Sequence, residues 1–122
     1  MVIVMLKFLK LYFFSFFVTL TFNLQAQVSF DAKVSKKRLG LNERLRIDFE
    51  MNENGDNFNP PPFKNFQIIS GPQQAVSRSW VNGVQSFSKT YTYFLTPRSK
   101  GNFTIGQAEV TINGEIYKTS PI

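Results

Sequence analysis

Four apolar residues, Leu45, Ile47, Phe49 and Met51, alternate without a break with Arg44, Arg46, Asp48 and Glu50. Successive side chains of a strand point to opposite faces, so this stretch offers one face to a core and one to water. A helix would scatter the same residues around its axis. Other segments after residue 26 obey the same rule. Val28, Phe30, Ala32 and Val34 alternate with Ser29, Asp31 and Lys33, and Ala108, Val110 and Ile112 resume the pattern near the end. No stretch there repeats at the helical period. The chain beyond residue 26 is constrained to an all-β fold.

Turn chemistry sets the pairing. Asn82-Gly83 suits a two-residue type I′ turn, in which both central residues need positive φ. That turn pairs Val81 with Val84, Ser79 with Ser86 and Ser77 with Ser88 on one face. On the other face it pairs Trp80 with Gln85 and Arg78 with Phe87, either as a cation–π pair or with a solvent-facing Arg covering apolar surface. The second arm continues with Phe87, Tyr91, Tyr93 and Leu95 on one side, where aromatics contribute most of the buried area. Asn113-Gly114 repeats the signal. It pairs Val110 with Tyr117 inside and Glu109 with Lys118 outside, so charge and hydrophobicity agree on one register. Residues Asn52 to Pro62, with Pro60-Pro61-Pro62, read as a loop or edge segment. Phe63 to Ser70 reads as a strand ended by Gly71-Pro72, and Pro97 to Gly101 as a turn into Phe103-Thr104-Ile105. About eight short strands with turn signals between them describe an antiparallel, immunoglobulin-like β-sandwich. Residues 27–122 form that one domain.

Residues 1–26 differ in kind. Lys7 and Lys10 precede an apolar run from Leu11 to Leu20, and Leu24-Gln25-Ala26 follows. A basic start, an apolar middle and a small residue at the end describe a helical signal peptide cut after Ala26. The apolar run is short for a membrane span, which needs about 20 residues. The bulk of Leu24 leaves an uncleaved anchor as the alternative. Without Lys7 and Lys10, twelve basic residues face eight acids, a net charge near +4. The one basic cluster, Lys36-Lys37-Arg38, reads as a solvated turn, with a phosphate or lipid-headgroup contact as the functional alternative. An exported chain without an extended basic stripe is not suited to nucleic acid.

Catalytic chemistry finds few footholds. The chain has no histidine and no cysteine, which removes the commonest base, the usual zinc ligands, thiol catalysis and a lipoprotein anchor. No Gly-rich phosphate motif occurs. The pairs Asp48/Glu50 and Glu109/Glu115 are ordinary for solvated strands, and Glu53-Asn54-Gly55-Asp56 lacks the spacing of a calcium loop. No catalytic residue, cofactor or metal site is expected. Asn102-Phe103-Thr104 is a formal glycosylation sequon. Trp80 is the leading surface aromatic, whereas Tyr91 and Tyr93 alternate with threonines as core residues do. The expected contact surfaces are the Asn52–Pro62 segment, through Phe58 and Pro61, and the hairpin tip, through Arg78, Trp80 and Asn82. A carbohydrate-binding or adhesin-like module, using Trp80 and the tyrosines as a sugar platform, is the competing reading.

Three stretches resemble the N-terminal region of the BatD family, the oxygen-tolerance proteins of the Bacteroides aerotolerance operon. They are Tyr91-Thr-Tyr-Phe-Leu-Thr-Pro97, Lys100-Gly-Asn-Phe-Thr-Ile-Gly-Gln-Ala108 and Gly114-Glu-Ile-Tyr-Lys-Thr-Ser-Pro121. Val28-Ser-Phe-Asp-Ala-Lys-Val34, Leu41-Asn-Glu-Arg-Leu-Arg-Ile47 and the Ala26-Gln27 junction are also similar to that family's opening. The resemblance implies several immunoglobulin-like domains in the periplasm and a C-terminal membrane helix. It also implies assembly with other envelope proteins, von Willebrand factor A-type membrane proteins among them. On that reading Ser120-Pro121-Ile122 falls inside a longer protein, whose membrane tether lies further on. Mass spectrometry of the exported protein is expected to find Gln27 as its first residue, and an intact Met1 would favour the anchor.

Overall fold

The structure, a computed structural model, describes residues 27–122. The signal peptide expected over residues 1–26 lies outside the described residues. Seven strands form: β1 (Phe30–Val34), β2 (Leu45–Met51), β3 (Asp56–Asn59), β4 (Phe66–Val81), β5 (Val84–Pro97), β6 (Glu109–Ile112) and β7 (Glu115–Lys118). One antiparallel sheet has the order β1-β2-β5-β4 and the other β3-β6-β7. Lettered A to G in chain order, these sheets read ABED and CFG, the constant-type immunoglobulin arrangement. The all-β, immunoglobulin-like sandwich expected from the sequence is the fold observed.

β2 shows why the chain takes this form. Both its edges are paired, to β1 and to β5, with Leu45 opposite Leu95 and Met51 opposite Lys89. Its alternate residues Leu45, Ile47, Phe49 and Met51 are all buried. They face Val110 and Ile112 of β6, and Ala108 just before it, across one continuous core. The outward residues carry the charge. Arg46 pairs with Asp48 at 3.1 Å, Lys33 reaches Glu50 at 3.6 Å, and Thr92 Oγ1 donates to Asp48 Oδ1 at 2.6 Å. Exposed pairs of this kind add little stability, about 0–1 kcal/mol each.

Two readings of the strands change. Gly71-Pro72 does not end a strand: β4 runs through it, with one-residue register shifts on either side of Ser70. β4 is the edge of its sheet, so a bulge absorbs the residue that has no donor without breaking an inner ladder. Phe103–Ile105 is not a strand. Ile105 instead exchanges two backbone hydrogen bonds with Ile122, at 2.7 and 2.9 Å. These prolong the β6–β7 register past the Ala108–Thr119 bond of 3.0 Å. The Asn52–Pro62 segment contains β3, an edge strand against β6. Both Asn-Gly turns form as read, with Val81 opposite Val84 and Glu109 opposite Lys118.

Two glycines are required by close approach. A Cβ at Gly71, whose φ is +118°, would lie 2.6 Å from the Thr92 carbonyl oxygen. A Cβ at Gly55 would lie 2.8 Å from a Val110 methyl and 2.9 Å from Ile112. The ring of Tyr93 is buried, and burial pushes its phenol above the ordinary tyrosine value. A raised folded-state value favours the neutral form, so that contribution is intact below pH 10 and is lost as pH rises through the folded-state value. Gly71→Ala is expected to lower the unfolding free energy by about 1–3 kcal/mol, because backbone, not a movable side chain, fills the space. Denaturant titration reads this directly, and an unchanged midpoint would contradict it.

Candidate functional site

β2 ends opposite Lys89, yet β5 begins five residues earlier, at Val84. Among the described residues, β5 from Val84 to Ser88 therefore has β4 as its sole neighbour, and the outer edge of β4 is open. The result is a two-stranded ribbon standing off the sandwich. Its tip is the Asn82-Gly83 turn, with φ of 51° and 78°, the positive values that the type I′ turn demands. A free two-stranded hairpin is marginal in water. This one is rooted in the four-stranded sheet and reinforced along its length. The Arg78 guanidinium lies 5.3 Å from the Phe87 ring centre, and the Ser79 and Ser86 hydroxyls bond across the strands.

The two faces of the ribbon differ. Val76, Arg78 and Trp80 lie opposite Lys89, Phe87 and Gln85. This face continues the row of Tyr91, Tyr93 and Leu95, which turns toward the second sheet. Below Lys89 that row is roofed by the second sheet; above it, no described residue covers the same side. Ala75, Ser77, Ser79 and Val81 share the reverse face with Thr90, Ser88, Ser86 and Val84. Trp80 is 70% exposed and Val84 68%, with Val76 and Val81 exposed as well. From Gly71 to Ser88 the only charged side chain is Arg78.

The five contact residues named from the sequence separate into two groups. Arg78, Trp80 and Asn82 lie exposed on the ribbon. Phe58 and Pro61 do not form a surface, and that expectation is corrected. Phe58 stacks on Tyr91 with ring centres 4.1 Å apart and planes 3° from parallel, and Pro61 is buried. β3 turns Phe58 inward, where it packs against the core. A three-aromatic sugar platform is likewise absent: Tyr93 is in the core and Tyr91 lies under Phe58, which leaves Trp80 alone outside.

Sequence reasoning missed Lys89. It is buried, and its Nζ donates to the Gly55 carbonyl at 3.1 Å and approaches Asn54 Oδ1 at 3.4 Å. The Tyr91 ring lies 5.6 Å away. Its position inside an aromatic row was the available signal. This ammonium ties the root of the ribbon to the β2–β3 connection and uses two of the oxygens that a cation bound at Glu53–Asp56 would need. The carboxylates considered for acid–base work are also engaged. Glu109 pairs with Lys118 at 3.4 Å, and Glu115 accepts from the Tyr117 hydroxyl at 3.1 Å. That bond raises the Tyr117 phenol above its ordinary value. Asn102 of the sequon is exposed.

A protein-family model described as BatD DUF11 like domain matches residues 32–122, all but the first five of the described residues. No curated protein and no solved structure matches the chain.

Trp80→Ala removes a side chain that takes no part in the core, so the unfolding free energy is expected to stay within about 0.5 kcal/mol of the parent. A loss above about 2 kcal/mol by thermal or chemical denaturation would show that the indole supports the fold.

Proposed function

Because the chain belongs to the BatD family, we propose that it is a non-catalytic recognition module of a larger envelope protein, acting in the periplasm through its β4–β5 ribbon. The observation that carries this reading is a strand pair whose core-side face has lost its roof. Val76, Trp80 and Phe87 occupy positions that in the body of the domain are covered by a second sheet. Exposed apolar surface on a long open edge invites another protein, and an edge with one charge in eighteen residues does little to repel it. Such an edge takes an extended partner strand by main-chain bonds, with side chains on alternate positions setting specificity.

The position of the ribbon supports the same reading. The β2–β3 and β6–β7 connections lie at its root, through Gly55 against Met51, Val110 and Ile112. These are the sandwich ends that antibody variable domains use for binding, a likeness of fold and not of ancestry. The partners implied by family membership are other envelope proteins, with von Willebrand factor A-type membrane proteins first among them. A link to oxygen tolerance would then run through assembly of a complex.

The test is binding of the full chain to a purified von Willebrand factor A-type envelope protein of the same host. Trp80→Ala is expected to weaken binding about 30-fold, the loss typical of a central aromatic anchor. Equal binding by parent and variant, or no binding at all, would falsify the proposal. Retention on a glycan array, abolished by Trp80→Ala, would replace it with the carbohydrate-binding reading.

A further inference from the structure

The strand ends opposite the ribbon form a groove. β1 ends there at Val34, β2 starts at Leu45, β5 finishes at Pro97, and β4 starts at Phe66 opposite Pro97. The paired Ile105 and Ile122 close the second sheet on the same side. Between them lies an open cleft of roughly 770 Å³. Its floor is apolar: Leu45 and Ile105 are each 5% exposed, and the Phe66 and Phe103 rings meet edge to face at 6.2 Å. Its rim carries Lys36, Lys37 and Lys100, and among the described residues no Asp or Glu lines it, the nearby Glu43 being held by Lys36.

The charges of the rim are unequal in their partners. Lys36 bonds Glu43 at 2.9 Å, and that ammonium holds the Glu43 carboxyl below its usual value, first by the hydrogen bond and then by its charge. Lys37 and Lys100 have no carboxylate within 4 Å among the described residues. Two free cations above an apolar trough are complementary to a ligand that is negative at its edge and apolar at its centre.

We infer that this groove docks an acidic polypeptide segment anchored by an apolar side chain. A bilayer is the poorer fit, because a flat surface reaches rims and not recessed floors, and Leu45 and Ile105 lie below the lysines. A bare phosphate would meet the lysines and leave the floor wet. An extended acidic chain satisfies both: carboxylates lie along the lysine rim while one apolar side chain packs on the floor against Leu45, Ile105 and the Phe66–Phe103 ring pair. This site is independent of the ribbon, at the other end of the same strands. The two together would let the domain bridge two partners in line.

The probe is a short synthetic peptide alternating glutamate and leucine, titrated against the full chain by fluorescence anisotropy. Saturable binding is expected, weakening as salt is raised. Reversing both free lysines, Lys37→Glu with Lys100→Glu, is expected to weaken it about tenfold, as suits two exposed ion pairs. Trp80→Ala is expected to bind the peptide unchanged, which separates this site from the ribbon. If charge reversal prevents folding, Lys37→Gln with Lys100→Gln gives the same comparison at smaller amplitude. A peptide with glutamine in place of glutamate that binds as well, or a double variant that binds like the parent, overturns the inference. Phosphatidylglycerol vesicles that bind the chain and displace the peptide would assign the groove to a membrane instead.

Discussion

The contact between the inner face of β2 and the second sheet holds the rest in place. Phe49 sits at its centre, fully buried, with the rings of Phe58, Phe63 and Tyr93 at 5.6, 6.5 and 6.0 Å. Those neighbours come from β3, from the segment before β4 and from β5, so one side chain ties both sheets and a connecting segment. Full burial of such a residue stabilises by about 1.5–3 kcal/mol, and tilted or edge-on ring pairs add about 0.5–1.5 kcal/mol more. Antibody domains join the corresponding strands by a disulfide. This chain has no cysteine, so aromatic packing supplies the tie between sheets.

That core also determines where the surfaces of the protein are. The second sheet is short, with strands of four residues each, while β4 and β5 run sixteen and fourteen. A short layer over a long one leaves an overhang, and the overhang is the ribbon. At the other end both layers finish near the same level, and their ends enclose the groove instead of extending past it. The ribbon at one pole therefore arises from a mismatch in strand length, and the groove at the other from the strand ends themselves. The buried Lys89 stands at the boundary between covered and bare ribbon, where its ammonium joins β5 to the Gly55 carbonyl.

Much of this organisation was legible in the chain itself. Alternation at β2 and the two Asn-Gly turns specified all-β structure, both hairpin registers and the pairs Arg78–Phe87 and Glu109–Lys118. These features are local: a side chain's face depends on its neighbour, and a turn's type depends on two adjacent residues. The same locality explains the errors. Gly71-Pro72 stops a strand when read alone, but at an open sheet edge it becomes a bulge. Phe58 and Pro61 stand among polar and proline residues and read as surface, yet pairing of β3 with β6 turns Phe58 toward Phe49 and Tyr91, and Pro61 is buried beyond the strand.

The residues alone thus determined that this protein is a β-sandwich and how its hairpins pair, because period and turn chemistry act over a few positions. Only the tertiary structure decided which aromatics are covered, which way Lys89 points, and that four strand ends enclose an apolar trough beneath three lysines. Burial depends on what lies above a face, and the covering residues are distant in sequence. No short-range pattern records them.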